Sequence, residues 1–418
     1  MEDLSVIFPV CCGLDVHKSF VVACIAATDD KGITAYSAKR RFSTFTRDLR
    51  LLSEWLAQNN CKDVCLESTG KYWHPVFNVL EQTCHVVLSH PKYVKSIYGK
   101  KTDKRDAKRI ASLFKYGIVE PSFIPPFKVR QLRDLMRYHV KLTNFSTGEK
   151  NRARNCLTVS NIKLDDVFSD VFGKSASAIT EQLLLHPDGN FDVSIFIDGR
   201  CKAPVDKVQA AVDGFMCSEQ AEKLKIIRLH MSSVEECKAR LESVIRSLSE
   251  QFQTQVEFVL TVPGIQLFSA IAIISEIGVD MSVFPSAKHL CSWAGLVPQN
   301  NESGGKKKTT RISRAGAFLK PLLVQCALAV CKSKKHPEIR NRYLALKKRR
   351  GHKKAIIAIC RMLLTAIYHI LKKSEAYNPN LYKKEVSVPA DRALTMKQVL
   401  AFAKHRGFVI IDPDGVVA

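Results

Sequence analysis

Four acidic residues in the N-terminal part of the chain have the types and positions of metal ligands. Asp15 lies within an apolar run that predicts a β-strand, and Glu67 follows a second short apolar run. Asp103 and Asp106 are three residues apart in a predicted helix, so their side chains share one face. A carboxylate within a buried strand is costly unless a positive group satisfies it, and converging carboxylates usually bind a divalent metal. The pattern therefore predicts a metal site formed by these four residues.

A second segment whose residues could take part in catalysis lies in the C-terminal part. Ser303 precedes Gly304 and Gly305, and glycines allow a loop to approach a phosphate closely. Cations that follow could stabilise charge on phosphate oxygens, as a serine nucleophile requires: Lys306, Lys307, Lys308, Arg311 and Arg314. The alternative is a flexible Ser-Gly-Gly loop with a solvated basic flank, and composition alone favours this alternative.

Two further features predict contacts with a phosphate backbone. Pro263 and Gly264 separate two predicted helices, which resembles a helix-hairpin-helix whose backbone N–H groups meet a DNA phosphate. Pro-Gly also occurs in ordinary turns. Residues 332–354 are rich in Lys and Arg with little aromatic interleaving, which indicates neutralisation of backbone charge rather than base stacking. The cations of this tract that we assign to nucleic-acid binding are Lys347, Lys348, Arg349 and Arg350.

Composition favours a nucleic-acid partner over the other broad classes. The 418 residues include 64 Lys and Arg against 40 Asp and Glu, a net charge of +24 that implies a polyanion. No apolar run approaches the roughly 18 to 20 residues of a membrane span, and we expect the apolar helix Ala355 to Leu371 to lie in a core. The N-terminus lacks a signal-peptide pattern. The 14 cysteines lack C-x-x-C pairs, which predicts reduced, buried thiols in a cytoplasm.

The elements that must position the carboxylates follow from hydrophobic periodicity. Three strands are predicted between Cys11 and Phe42, with a hairpin turn at residues 28–32. A helix, a strand, a helix, a strand and the helix that carries Asp103 and Asp106 come next, giving the order βββαβαβα. Three strands followed by alternating units is the order of a ribonuclease-H-like sheet. In such a sheet Asp15 and Glu67 lie on neighbouring strands.

The remainder of the chain is predicted to be helical, so the fold class is α/β followed by α. Prolines near residue 125 mark a boundary, and long amphipathic stretches beyond it predict a coiled-coil-like spacer. Its helices would pack against each other or against a second subunit. The predicted divisions are residues 8–125, a spacer at 126–258 with an unassigned insert around 160–215, a mainly helical domain at 259–373, and a tail at 374–418.

Six short motifs together resemble one family. They occur in the order found in DEDD transposases of the insertion-sequence one-ten family, and the resemblance covers residues 10–120 and 255–335. The motifs are Gly13-Leu14-Asp15-Val16-His17-Lys18, Leu66-Glu67-Ser68-Thr69-Gly70, Thr102-Asp103-Lys104-Arg105-Asp106-Ala107, Val262-Pro263-Gly264-Ile265, Gly295-Leu296-Val297-Pro298 and Ser303-Gly304-Gly305-Lys306.

The resemblance implies more than the residues alone. It implies a RuvC-like N-terminal domain in which Asp15, Glu67, Asp103 and Asp106 bind Mg²⁺ or Mn²⁺. It implies a C-terminal transposase domain with Ser303 as the nucleophile. The expected partners are DNA, at element ends and target, together with a guide or bridge RNA in some members. A homodimer or tetramer with sites shared between subunits is also implied, in a bacterial or archaeal cytoplasm at the nucleoid.

Two other functional classes fit parts of the pattern. A structure-specific RuvC-like endonuclease would use the metal site and activated water, with no covalent serine intermediate. A non-enzymatic nucleic-acid-binding protein would only pair its carboxylates with nearby lysines. His17, beside Asp15, could shuttle protons, but a structural role is the more common one for a single histidine. The target sequence and the use of RNA remain open from sequence.

Overall fold

A mixed β-sheet forms the N-terminal part of the protein, and helices make up most of the remaining chain. The computed structural model describes residues 5–67, 70–89, 103–199, 201–298, 301–303, 306–309 and 311–382, and the single positions 399, 403 and 406. For residues 103–105, 301–303, 306–309 and 381–382 only the backbone is described.

The sheet has the strand order β3-β2-β1-β5-β6, with β4 also paired to β2. β1 pairs with β2 in antiparallel and with β5 in parallel orientation, and β5 and β6 are parallel. This mixed sheet confirms the predicted α/β class of the N-terminal part. The strands are β1 (Val10–Val16), β2 (Phe20–Thr28), β3 (Thr34–Tyr36), β4 (Arg40–Ser43), β5 (Asp63–Glu67) and β6 (His85–Ser89).

The third predicted strand is divided, which corrects the expectation of three continuous strands. Both β3 and β4 pair with β2, on either side of a break at residues 37–39. The side chain of Ser37 explains the break, because its hydroxyl accepts a hydrogen bond from the Ile25 backbone N–H at 3.0 Å. A side chain there takes the place of a ladder carbonyl, so regular pairing stops and then resumes.

Helices cover both faces of the sheet. α1 (Thr46–Gln58) and α2 (Trp73–Leu80) pack on one face, where their apolar residues share a core with Leu14 and Val16. α3 (Asp103–Phe114) packs on the opposite face, in a core with Cys11 and Cys65. Side chains alternate along a strand, so Cys11, Gly13 and Asp15 all project toward the α3 side.

Gly13 lets α3 lie directly against β1. A Cβ at this position would be 2.2 Å from the carbonyl oxygen of Ala107 and 2.4 Å from the backbone nitrogen of Ala111. The thiol of Cys11 donates to the Ala111 carbonyl at 3.6 Å, so the helix runs antiparallel to the strand. The N-terminus of α3 therefore lies at the carboxyl end of β1.

Two long helices and a small helical cap come next along the chain. α4 (Phe127–Val159) packs along α8 (Ser218–Ser249), and at 33 residues α4 is about 50 Å long. The helical cap, residues 160–217, has a core of its own with the adjoining ends of these helices. The insert around residues 160–215, which the sequence left unassigned, therefore has a folded apolar core. Its helices are α5 (Leu164–Val167), α6 (Lys174–Leu185) and α7 (Val205–Val212), with a 3-10 turn at Val193–Phe196.

The C-terminal part is mainly helical, as predicted, and contains one short hairpin. Its central helix is α14 (His352–Lys373). By length and composition this helix could cross a membrane, so the expectation that the chain has no apolar run of that length was wrong. Its apolar residues nevertheless line the core, as predicted for this helix. The elements are α9 (Gln253–Leu260), α10 (Leu267–Ile277), α11 (Ala287–Trp293), β7 (Asn301–Ser303), β8 (Lys306–Thr309), α12 (Leu319–Lys332), α13 (Pro337–Arg350) and α14 (His352–Lys373).

Arginines of α4 connect the sheet to the C-terminal helices. Arg130 donates to the carboxylate of Glu81, next to α2. Arg133 donates to the backbone carbonyl of Glu276 in α10 at 2.6 Å, and burial lowers the pKa of Arg133 to about 10. Arg137 forms a bidentate pair with the Glu276 carboxylate at 2.7 and 2.9 Å. One helix thus holds both parts of the protein through charged contacts.

Replacing Gly13 by alanine should destabilise the N-terminal part. The added methyl would overlap the α3 backbone, and overpacking of this kind costs about 1–3 kcal/mol or more. Urea unfolding followed by circular dichroism measures the loss. Gly199→Ala is the matched control, because a Cβ there meets nothing within 4 Å. Equal stability of the two variants would contradict the proposed close packing.

Replacing Glu276 by glutamine should destabilise the joint between α4 and α10. Only 8% of the Glu276 side chain is exposed, and the change would remove the negative charge that pairs with Arg137 at 2.7 Å and with Arg133 at 3.8 Å. Breaking such a pair costs about 3–5 kcal/mol. Glu236→Gln is the control, because its pair with Arg240 is exposed and worth about 0.5 kcal/mol or less. A similar small change in thermal unfolding for both variants would contradict this role.

Candidate functional site

Asp15 and Glu67 lie side by side at the carboxyl ends of two parallel strands. In the β1–β5 register Leu14 is paired with Leu66, so the next residues along the strands are these two acids. Both project to the α3 face, since Gly13 and Cys65 do. Asp15 is 13% exposed. The pKa of the Cys65 thiol is raised to about 12, mainly by burial and to a smaller extent by the nearby charge of Glu67.

The first turn of α3 brings the other two acids toward the same end of the sheet. Cys11 lies against Ala111 and Gly13 against Ala107. The next step along β1, to Asp15, covers about 6.6 Å, close to one helical turn of about 5.4 Å back toward Asp103 and Asp106. A helix N-terminus carries partial positive charge and favours carboxylates there.

Among the side chains that the structure describes, which include those of Asp15, Glu67 and Asp106, no three possible metal ligands lie close enough together to hold an ion. The side chain of Asp103 lies outside them. The chemistry of the donor set fits a hard divalent cation, because carboxylate oxygens are the ligands that Mg²⁺ prefers. The backbone therefore brings Asp15 and Glu67 together and places α3 with Asp103 and Asp106 beside them.

A chain of side-chain contacts leads from Asp15 across the sheet through His17 and Phe20 to Arg41. The Nε2 of His17 lies 3.0 Å from Oδ2 of Asp15, and the His17 ring stacks on Phe20 with centroids 4.3 Å apart. The guanidinium carbon of Arg41 lies 3.7 Å from the centre of the Phe20 ring. Sequence reasoning missed Phe20 and Arg41. The tight turn of residues 17–20 could have indicated the first, whereas Arg41 depends on the register of β4.

Ser303 lies in a β-hairpin rather than in an open loop. It ends β7 and is paired with Lys306, the first residue of β8. Gly304 and Gly305, which join the two strands, lie outside the described residues. So do the side chains of Ser303, Lys306, Lys307 and Lys308. Arg311 and Arg314 are exposed at the foot of the hairpin.

The base of the hairpin is held by close backbone packing. A bridge joins Pro298 to Ile312. Gly316 has a φ of +68°, and a Cβ there would be 2.3 Å from the carbonyl oxygen of Ala294. In the described part of the chain no extensive contact joins β7 or β8 to the carboxylate strands. The structure therefore positions the serine hairpin and the carboxylates on separate parts of the protein.

Gly264 has a structural reason to be glycine. Its φ is +83°, and a Cβ there would lie 2.7 Å from the Cys326 carbonyl oxygen and 3.0 Å from Cβ of Val330 in α12. The turn between α9 and α10 therefore needs glycine for packing. Contact of this turn with a DNA phosphate stays a prediction.

The second basic tract forms an exposed surface on α13 and the turn after it. Ile339 is the buried residue of this helix. Within the described chain, the four assigned cations are exposed and form no ion pair: Lys347, Lys348, Arg349 and Arg350. Positive charges at a helix C-terminus are also favoured by the helix dipole. Their arrangement is compatible with the predicted backbone contacts, which stay a prediction.

All fourteen cysteines are free in the structure, and many are buried. Burial raises the pKa of Cys11, Cys61 and Cys360 to about 12. These thiols stay protonated near neutral pH and act as small apolar side chains rather than nucleophiles.

Several known proteins are similar to this chain. A probable family 20 transposase of Pseudomonas aeruginosa is 24% identical over 328 residues, which is 76% of this chain and 86% of the relative. The transposase for insertion sequence element IS1111A of Coxiella burnetii is 30% identical over 28% of this chain and 33% of its own length. A pilin gene-inverting protein of Moraxella bovis is 32% identical over 29% of this chain and 38% of its own length.

Among solved structures, a complex of Fowlpox virus resolvase with its substrate Holliday junction DNA is similar in part. The match covers 25% of this chain and 72% of the resolvase, at 15% identity and a TM-score of 0.18. A likeness this low carries no inference about fold or function.

Family models match both parts that carry the candidate site. A transposase model matches residues 12–162, which include the four acids, and a model described as transposase IS116/IS110/IS902 family matches residues 256–344, which include Ser303. The two matches fall in the order expected from the six motifs. The chain therefore belongs to the IS110 family of transposases.

Proposed function

We propose that this transposase cuts and rejoins DNA strands by using its carboxylates and Ser303 on the same phosphodiester. The observation that carries the proposal is the placement of Asp15 and Glu67 at adjacent strand ends on the face covered by α3. Two carboxylates side by side at one sheet edge repel each other unless a cation or a proton lies between them. A site with this cost supports a role in chemistry rather than in folding.

The carboxylates would hold one or more divalent cations. Asp15, Glu67, Asp103 and Asp106 are the ligands in this proposal, with Mg²⁺ or Mn²⁺ as the ion. A bound divalent ion orients a phosphate and neutralises the charge that builds on its oxygens. His17 accounts for one oxygen of Asp15 and orients that carboxylate from 3.0 Å away.

Ser303 would make the covalent bond. Its hydroxyl oxygen attacks phosphorus and loses its proton, while the bond from phosphorus to the sugar oxygen breaks and that oxygen gains a proton. The product is a phosphoserine ester and a free DNA hydroxyl. Attack by a hydroxyl of the exchanged strand reverses the step, so the bond energy is conserved and no ATP is required. Cations in and after the hairpin support the proposal, because they can neutralise phosphate charge: Lys306, Lys307, Lys308, Arg311 and Arg314.

The two halves of the site must meet on DNA. Because the hairpin and the carboxylates lie on separate parts of the chain, we propose that a second protomer supplies one half, within a homodimer or tetramer. The net charge of +24 supports a polyanionic partner. The proposed partners are DNA at element ends and target, and a guide RNA that selects them, at the nucleoid in the cytoplasm. The exposed cations at residues 347–350 and the Gly264 turn are the proposed backbone contacts.

Replacing Asp15 by asparagine should abolish stabilisation by Mn²⁺. A ligand at 100 times its Kd stabilises the folded protein by about 2.7 kcal/mol, and loss of a ligand removes most of this gain. Differential scanning fluorimetry with and without Mn²⁺ measures the shift in Tm. Asp63→Asn is the matched control, because Asp63 lies at the opposite end of β5, paired with His85 at 2.8 Å. An unchanged Mn²⁺ shift in the Asp15 variant would refute the metal site.

Replacing Ser303 by alanine should abolish the protease-resistant DNA–protein adduct and lower strand exchange by roughly 10³-fold or more, since loss of a nucleophile removes the covalent path. Denaturing gels with labelled DNA detect the adduct. Ser292→Ala, at an exposed position in α11, should behave as the native protein. Full strand exchange by the Ser303 variant would favour a hydrolytic RuvC-like endonuclease instead.

A further inference from the structure

A stacked group of side chains continues from Asp15 across the sheet. In the register of the strands, Asp15 is paired with Val22, and Val22 with Arg41, so the three share one row and one face. His17 and Phe20 flank the turn that joins β1 to β2, next to this row. There the His17 backbone N–H donates to the Phe20 carbonyl at 2.9 Å. Each member contacts the next, from Asp15 through His17 and Phe20 to Arg41.

Arg41 is exposed and is held with its flat guanidinium near the Phe20 ring. Stacking on an aromatic ring restrains a guanidinium but does not use its N–H donors, which lie in the guanidinium plane. These donors match two oxygens of a phosphate in geometry and charge. Arg41 is thus a restrained cation at the edge of the carboxylate site.

The charge around Arg41 favours an anionic strand. Lys39 is exposed two residues before Arg41, close enough for its charge to lower the pKa of the Cys24 thiol, which burial raises overall. Lys108 of α3 lies 4.2 Å from the ring of Tyr36 in β3, beside the same edge. Lys18 is exposed in the turn between His17 and Phe20. Three lysines therefore accompany Arg41 on this part of the domain.

We propose that Arg41, seated on Phe20, binds a backbone phosphate of the DNA strand whose scissile phosphate lies at Asp15. The proposal rests on the proposed function, because it takes DNA as the polymer at the carboxylates. Two strand spacings of about 4.8 Å separate Asp15 from Arg41, so the contact falls near the cut rather than at a remote site. Arg41 then orients the strand and takes no part in bond making.

The neighbouring Arg40 provides an internal control. It is also exposed and also stacked on aromatic rings, 5.1 Å from Phe42 and 5.8 Å from Trp55. These rings belong to the core on the α1 side, so Arg40 lies on the opposite face of β4. Arg40 thus matches Arg41 in charge and exposure and differs in the face it occupies and in its longer distance to the aromatic rings.

The test compares Arg41→Gln and Arg40→Gln in the full-length protein, with thermal unfolding to show that both fold. Binding of a fluorescent DNA duplex is measured by anisotropy at several salt concentrations, in EDTA so that no cleavage occurs. Arg41→Gln should bind DNA about five- to tenfold more weakly. The negative slope of log K against log salt should become shallower by about 0.9, the value of one phosphate contact. Arg40→Gln should match the native protein. An unchanged slope for Arg41→Gln, or an equal loss for Arg40→Gln, would overturn the proposal.

Two further measurements separate the possible failures. Phe20→Leu keeps the Arg41 charge but removes its platform, and a several-fold loss of DNA affinity supports the stacked contact, while native affinity opposes it. The same titrations with single-stranded RNA test the partner, and a loss for RNA alone would overturn the assignment to DNA. Cleavage that survives in Asp15→Asn while Arg41→Gln weakens binding refutes the proposed function but supports the contact. Lost cleavage in Asp15→Asn with native binding by Arg41→Gln refutes the contact alone.

Discussion

The backbone contact between α3 and Gly13 is the constraint on which the carboxylate site depends. A side chain at this position would push the helix away from the sheet, because its Cβ would lie 2.2 Å from a helix carbonyl. The same contact sets the height of α3 along β1, and therefore how close its first turn comes to Asp15. Apolar packing behind Asp15 and Glu67 holds the helix against the sheet at this height. Ile110, Ala111 and Phe114 supply that packing.

A second constraint operates between the two parts of the protein. α4 belongs fully to neither part, since Arg130 contacts Glu81 while Arg133 and Arg137 contact Glu276. Leu132 and Met136 of the same helix also lie in the C-terminal core. Within two helical turns, α4 therefore contacts both the sheet part and the C-terminal helices. α4 begins at Phe127, next to the predicted division at residue 126, which stays a prediction.

Local patterns predicted much of the fold and part of the site. Hydrophobic periodicity indicated the order of strands and helices, and this order alone made Asp15 and Glu67 neighbours. The break between β3 and β4 was missed because it depends on one hydroxyl, that of Ser37, paired with a distant backbone N–H. The packing of Gly264 against Cys326 was also missed, because it joins segments 62 residues apart, which no local pattern reveals. Arg41 was missed for the same reason.

The helical cap has a mechanical consequence. It lies at the far end of a pair of long helices, about 33 Å along α4 from Arg137, which pairs with Glu276. A tilt of about 5° at this contact would displace the cap by roughly 3 Å, given that length of helix. A small change in helix angle at the Glu276 contact would thus become a larger displacement of the helical cap. Conversely, a force on the cap would act on the Glu276 contact as a torque.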